Sequence, residues 1–210
     1  MMSQKIGKKE LKFKKPKYVA TRDDVRKLFE CASSDQERLL VLLGYQNGFT
    51  FLDIVTLSIG AYPLEPWQPY VKHRDTLKDV FCCVSTPEIV QCMQAHLAVR
   101  GGAKGESLFI NEKGMPLNGV EVDEIFSAIV KRANTNNNSG SGEWSGFVFE
   151  SLREGFFDVL WHRTCRDVYM DLMGENSDLW RELRNEKFKA EKFGDIVKVM
   201  QGVYPSLTLT

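Results

Sequence analysis

Arg153 is the residue of this sequence that most directly suggests a chemical role. It stands near the start of the apolar stretch FVFESLREGFFDVL, residues 147–160, where the residue pattern predicts a helix. A guanidinium in this place can hold a phosphate through two parallel hydrogen bonds. It can equally pair with Glu150, one turn earlier, or with the adjacent Glu154. The local sequence leaves both interpretations open.

The positive charge of the chain is concentrated at its beginning. Residues 1–17 hold seven lysines against one glutamate, a net charge of +6, so the rest of the chain sums to −6 because the total is zero. Such a segment adds sequence-independent attraction to phosphates, or it serves as a solubilising tail. We therefore divide the chain into a basic flexible arm, residues 1–20, and one domain, residues 21–210. The candidate DNA-binding lysines of the arm are Lys8, Lys9, Lys12, Lys14 and Lys15.

Motifs for metals, cofactors and membranes are lacking in the sequence. The 5 cysteines form no CxxC pair, and the His162–Cys165 spacing has no second ligand pair to complete a zinc site. Phosphate-loop and dinucleotide fingerprints are also missing. No apolar run approaches the roughly 18 residues of a membrane span. We expect no metal, no cofactor and no membrane association, and a soluble intracellular protein of the cytoplasm or nucleoid.

The periodicity of apolar residues predicts a mainly α domain with a small antiparallel β-sheet, an α+β fold. Thr21 and Asp24 form a capping box at the first helix, Asn47–Gly48 ends the second, and Ser85 is the expected cap of a helix that begins at Pro87. Residues 69–85 read as a hairpin that turns at 75–78. Helices are predicted at residues 21–32, 35–46, 50–59, 87–100, 119–134, 149–161, 164–173, 178–191 and 193–201.

Several of these segments follow one another in an order with a known parallel. LLVLLGYQNGFTFLDIVTLSI leads into the hairpin, which precedes STPEIVQCMQAHLAVRG, SLFINEKGMPLNGVEVDEIFSAIVKRA, ESLREGFF and DLMGEN. This order resembles the catalytic domain of tyrosine recombinases, the phage-type and archaeal-virus-type integrases. The resemblance covers roughly residues 21–200 and implies an enzyme fold that acts on double-stranded DNA.

The resemblance also implies a set of catalytic residues from which this chain departs. In the family, an arginine stands where Thr50 stands here, and a histidine stands in place of Glu150. The hairpin lysine falls at the acidic Asp75, and a Gly-His pair reads Gly174–Glu175. Arg153 matches the second arginine of the family. With Glu150 one turn away, a structural ion pair is favoured over a phosphate contact.

The attacking tyrosine of the family has no clear counterpart, since the segment from Trp180 to Phe188 contains none. Tyr204 is the candidate nucleophile, and its alternative role is aromatic packing near the C-terminus. We therefore expect a catalytically inactive, DNA-binding relative, in which the arm acts together with Lys72, Arg74 and Lys78 of the hairpin. One alternative is an active strand-transfer enzyme that uses Arg153, Lys78 and Tyr204. Another is an assembly module without nucleic acid, a homo-oligomer formed through the tail at residues 203–210.

Overall fold

The computed structural model describes residues 18–73, 80–136, 144, 146–163 and 186–203 of the 210-residue chain. Its elements confirm the predicted mainly α fold with one small antiparallel sheet. In chain order they are α1 (Arg22–Cys31), α2 (Asp35–Asn47), α3 (Phe51–Val55), β1 (Pro69–His73), β2 (Val80–Val84), α4 (Pro87–Arg100), α5 (Gly119–Asn136), α6 (Phe149–Arg163) and α7 (Glu186–Val203).

Helix α2 is the centre of the domain. All of its residues from Leu39 to Asn47 are buried, as expected for a segment that is apolar on most sides. It packs against α4 and α6, and α1 also contacts it. Gly48 ends α2 in the left-handed conformation, with φ of 61°, which glycine adopts without steric cost. One apolar cluster joins residues from Ala20 to Met200.

The hairpin pairs β1 with β2 in antiparallel register, with Pro69 opposite Val84 and His73 opposite Val80. A buried polar network holds its base to the end of α2. Asn47 donates to the Tyr62 hydroxyl over 2.8 Å and accepts from the Val84 amide over 3.2 Å. The predicted turn at 75–78 lies outside the described residues. Helix α7 contacts both strands and α6.

Three details differ from the sequence prediction. The cap of α4 is Thr86, which accepts from the Ile89 amide, because the Ser85 hydroxyl donates instead to the Glu65 carbonyl over 2.5 Å. Helix α3 ends after five residues. The chain from Glu186 to Val203 is one continuous helix, where a break near residue 192 was expected. In the described residues, no helix is both long and apolar enough to cross a membrane.

Candidate nucleic-acid interface

The start of α3 is closed by its own side chains. The Thr50 amide and hydroxyl both donate to Asp53 Oδ2, each over 2.8 Å, and the Asp53 amide donates back to Thr50 Oγ1 over 3.2 Å. A threonine hydroxyl has a single proton, and Asp53 engages it. The Asp53 side chain is buried, at 1% exposure. The position to which the sequence resemblance assigns the family's arginine therefore holds a neutral hydroxyl that is already hydrogen-bonded to Asp53.

Helix α6 begins beside α3. The ring of Phe51, the first residue of α3, stacks on that of Phe149, the first residue of α6, with centroids 4.9 Å apart. Phe126 of α5 meets Phe149 edge-on at 5.5 Å. Three aromatic rings thus fix the starts of α3 and α6 next to the middle of α5. This packing brings the neighbourhood of Thr50 to that of Glu150.

Glu150 and Arg153 differ in what surrounds them. Burial raises the pKa of Glu150, Asp123 on α5 raises it further, and Arg153 lowers it as one of the smaller influences. The Arg153 guanidinium lies over the Phe157 ring, 4.7 Å from its centroid, a cation–π contact within one helix. The structure gives no ion pair within 4 Å between Arg153 and either Glu150 or Glu154, both of which are among the described residues. The Phe157 ring is thus one of the contacts that position Arg153.

The hairpin approaches the same neighbourhood through Tyr70. Burial raises the pKa of Tyr70 to about 12, with smaller contributions from the Cys83 thiol and the Asp53 carboxylate. A phenol of this kind stays protonated at neutral pH and is not an activated nucleophile. The side chain of Lys72, and Arg74, Asp75 and Lys78 as a whole, lie outside the description. The predicted role of Lys72, Arg74 and Lys78 in DNA binding therefore stays a prediction, as does the replacement of the hairpin lysine by Asp75.

The segment that leads out of the basic arm is seated on α6. The Ala20 amide donates to the Ser151 carbonyl over 3.0 Å, and the Tyr18 ring packs on Phe147 with centroids 5.0 Å apart. Gly155 allows this approach, because a Cβ there would stand 2.3 Å from the Ala20 carbonyl oxygen. The arm is thus joined to the chain at the helix that carries Arg153. Its lysines, Lys8, Lys9, Lys12, Lys14 and Lys15, lie outside the described residues.

The remaining predicted residues are only partly described. Tyr204 and the Gly174–Glu175 pair lie outside the description, and so does Cys165. Among the described residues, no group of three His, Cys, Asp or Glu side chains could hold a metal ion. His96 faces the Leu108 carbonyl at 3.0 Å, and His162 pairs with Asp158 on the exposed face of α6 at 3.5 Å. Each of these two histidines therefore contacts a neighbouring group of the fold.

Sequence reasoning missed the role of the Thr50–Asp53 pair. It treated Thr50 as the loss of an arginine, although the Thr-x-x-Asp spacing matches the capping box that the same reasoning recognised at Thr21–Asp24. The spacing was therefore a sufficient signal. Tyr70 carried no comparable signal, because its approach to Asp53 depends on how the hairpin folds back.

These elements and their order define the fold of a tyrosine recombinase catalytic domain, as the sequence resemblance predicted. Three solved structures show the likeness, each of which aligns with most of this chain. The match to XerA recombinase has a TM-score of 0.64 at 15% identity and covers 87% of this chain and 66% of that one. The Tn1549 transposon integrase, in complex with transposon right end DNA, gives 0.63 at 16%, covering 92% and 68%.

A lambda integrase dimer bound to a COC′ core site gives a TM-score of 0.57 at 16% identity, covering 83% of this chain and 49% of that one. The present chain thus spans about two thirds of the first two proteins and about half of the third. No family model and no curated protein matches the sequence. At these identities the comparison establishes the fold.

Proposed function

We propose that this chain is a DNA-binding protein that uses the tyrosine recombinase fold without cleaving DNA. The observation that carries the proposal is the Thr50 hydroxyl, which is neutral and already bonded to Asp53, at the place where the sequence resemblance puts the family's arginine. Cleavage of a phosphodiester requires positive groups where negative charge grows on the phosphoryl oxygens. A neutral hydroxyl in that place supplies no such charge.

Glu150 supports the same conclusion. By the resemblance, it replaces a histidine that would transfer a proton. Its carboxyl is half-buried, and the negative charge of Asp123 acts on it and raises its pKa. When ionised, it repels a phosphate at short range. Arg153 contributes attraction, yet its guanidinium already lies on the Phe157 ring. One arginine can help to hold a backbone phosphate without completing a cleavage site.

DNA binding is supported by the arm and by the structural neighbours. The arm carries a net charge of +6 and joins the domain at Ala20, which contacts Ser151 of α6, and at Tyr18, which packs on Phe147 just before α6. The Tn1549 and lambda integrases of similar fold are described in complexes with DNA. Lysines near a duplex release condensed counterions, so that the affinity falls steeply as salt increases.

Fluorescence anisotropy with a labelled duplex at ~50 and ~200 mM salt tests the binding. We expect measurable binding at low salt that is lost at high salt. The variant Lys12→Gln/Lys14→Gln/Lys15→Gln should weaken binding at least about tenfold and flatten the salt dependence by about three counterions. Its matched control is Lys104→Gln/Lys113→Gln/Lys131→Gln, three exposed lysines of the domain. If both triple variants bind alike, the arm is not the binding element.

A nicked duplex that traps covalent protein–DNA adducts tests the lack of cleavage. We expect no adduct. An adduct that disappears in Tyr204→Phe would establish the active alternative with relocated residues. Light scattering with and without residues 203–210 tests the assembly alternative. If the full-length protein does not bind DNA and forms oligomers that the truncated protein does not form, an assembly role replaces our proposal.

A further inference from the structure

A groove lies between α1, the start of α2, and α4. Its volume is about 370 Å³, within the range of roughly 300–1,000 Å³ common for ligand sites. Phe29 and Cys92 form its floor and are nearly buried, at 9% and 6% exposure. Glu30, Asp35, Arg38 and Glu88 also line it. The groove is therefore apolar at its base and charged at its edge.

Of the three carboxylates that line this acidic groove, one is paired with an arginine, and two have no such partner among the described residues. Arg38 donates to Asp35 over 2.9 Å and lies 5.7 Å from the centroid of the Phe29 ring. Within the described part of the chain, neither Glu30 nor Glu88 has an ion-pair partner within 4 Å. Two carboxylates therefore face the groove without a neutralising cation, beside an aromatic floor. This combination suits a peptide that carries both lysines and an apolar side chain.

Such a peptide is present in this chain. Residues 8–17, KKELKFKKPK, hold six lysines against one glutamate, together with Leu11 and Phe13. Lysine stems can lie on an apolar floor while their ammonium groups meet carboxylates at the rim. No other stretch of the sequence has a comparable excess of positive charge. Charge and hydrophobicity both match the acidic groove.

The segment is also long enough to reach it. The chain enters α1 at Arg22, and Glu30 lies eight residues further along that helix, a rise of about 12 Å. An extended chain covers about 3.3 Å per residue. Four to six residues that return beside α1 from Tyr18 therefore bring Lys14, Phe13 and Lys12 level with the groove.

We propose that residues 8–17 dock in the acidic groove of the same chain, with lysines on Glu30 and Glu88 and Phe13 on the floor beside Phe29. The docked arm is withheld from nucleic acid, so that the groove and a DNA duplex compete for the same lysines. The docking stands by itself, whereas the competition rests on the proposed DNA-binding function. The groove is thus a charge-complementary internal binding site for the arm.

Zero-length carbodiimide crosslinking of the unmodified full-length chain, without DNA, tests the docking. It joins lysines to carboxylates in contact, and peptide mass spectrometry locates the links. We expect arm lysines linked to Glu30 or Glu88 at least roughly fivefold more often than to the exposed Glu112 and Glu124, since the tether gives a high effective concentration at the groove. Even linkage to all four acids would overturn the proposal.

A mixture of ¹⁵N-labelled and unlabelled protein identifies the source of the arm. Links within one isotopic form support docking in the same chain. Links between the two forms in statistical proportion would overturn it in favour of a second copy as the occupant. This readout involves no DNA, so it is independent of whether the proposed DNA binding holds.

The competition is tested by DNA affinity. The variant Glu30→Gln/Glu88→Gln should bind a duplex about threefold more tightly than the control Glu112→Gln/Glu124→Gln, which removes the same charge elsewhere. In the Lys12→Gln/Lys14→Gln/Lys15→Gln background this difference should vanish. Equal affinities of the two double variants in the otherwise native chain would refute the competition.

Discussion

Two helices of this protein begin with the same four-residue device in different places. Thr21 and Asp24 close the start of α1, and Thr50 and Asp53 close the start of α3. The threonine hydroxyl donates to the aspartate over 2.6 Å in the first and 2.8 Å in the second. The first box begins an amphipathic helix, whereas the second stands where the sequence resemblance predicts the family's arginine. The same local chemistry is thus an ordinary helix cap in one place and, in the other, the basis of the proposed inactivity.

The starts of α1 and α3 both lie against helix α6. In the first contact the glycine belongs to α6, and in the second it belongs to the segment before α3. Ala20, just before the first box, lies against Gly155 of α6, while Gly48, two residues before the second box, lies against the Phe156 ring. In each pair a glycine lets the chain approach closely. The boxes differ in burial, since Asp24 is 7% exposed and Asp53 is 1% exposed. The second box is therefore more deeply integrated into the core.

The seating of the first box on α6 gives the largest expected effect. Gly155→Ala places a Cβ 2.3 Å from the Ala20 carbonyl oxygen, and a backbone atom cannot move aside without detaching residues 18–20. We expect a loss of about 3 kcal/mol in the free energy of unfolding, measured by urea denaturation. Gly194→Ala in α7 is the control, because nothing lies within 4 Å of its Cβ. It should gain up to about 1 kcal/mol, and equal behaviour of the two variants would contradict the seating.

Removing each carboxylate compares the boxes directly. Asp53→Ala should cost about 2 kcal/mol and Asp24→Ala about 1 kcal/mol, within the range measured for helix caps. The difference arises because the donors left behind at Thr50 have less access to water than those at Thr21. Paired urea or thermal unfolding curves measure both. Equal losses would show that burial adds nothing to the second box.

Thr50→Arg tests whether the missing positive charge at residue 50 is by itself the reason for the proposed inactivity. It removes the hydroxyl that accepts from the Asp53 amide, so we expect a loss of about 1 kcal/mol in stability. The added cation should tighten duplex binding a few-fold at low salt without producing covalent adducts, because Glu150 remains. Thr50→Ser keeps the cap and should change neither quantity. Covalent adducts in Thr50→Arg would show that one residue separates this chain from activity.

Glu150→Gln should give the smallest effect, with a defined pH dependence. The pKa of Glu150 is raised in the fold, chiefly by burial, so the folded state holds this proton more strongly than the unfolded state. The wild type therefore loses stability relative to the variant as pH rises from about 4 to 7. We expect Glu150→Gln to gain at most about 0.5 kcal/mol at pH 7, since solvent screens a half-buried charge, and nothing near pH 4. A constant difference between the two proteins across this range would exclude the effect.

Much of the fold could be predicted because its signals are local. The Thr21 box, the Gly48 stop and the Pro87 start of α4 each depend on residues within one turn. Errors arose where two local options were equally good. Ser85 and Thr86 can both cap α4. Thr86 is the cap in the structure, because the Ser85 hydroxyl donates to the Glu65 carbonyl, 20 residues away in sequence. No window of a few residues contains that contact.

The candidate site divides in the same way. The sequence by itself determined that the positive charge lies in the arm, since residue identity and order are enough for that. It also gave the prediction, through the family resemblance, that Thr50, Glu150 and Arg153 stand at positions of catalytic groups. The tertiary structure alone decided that Phe51 stacks on Phe149, that Arg153 rests on Phe157 and that Tyr70 comes under the influence of Asp53. Burial and charge neighbours depend on contacts between distant segments, and these exist only once the helices have packed.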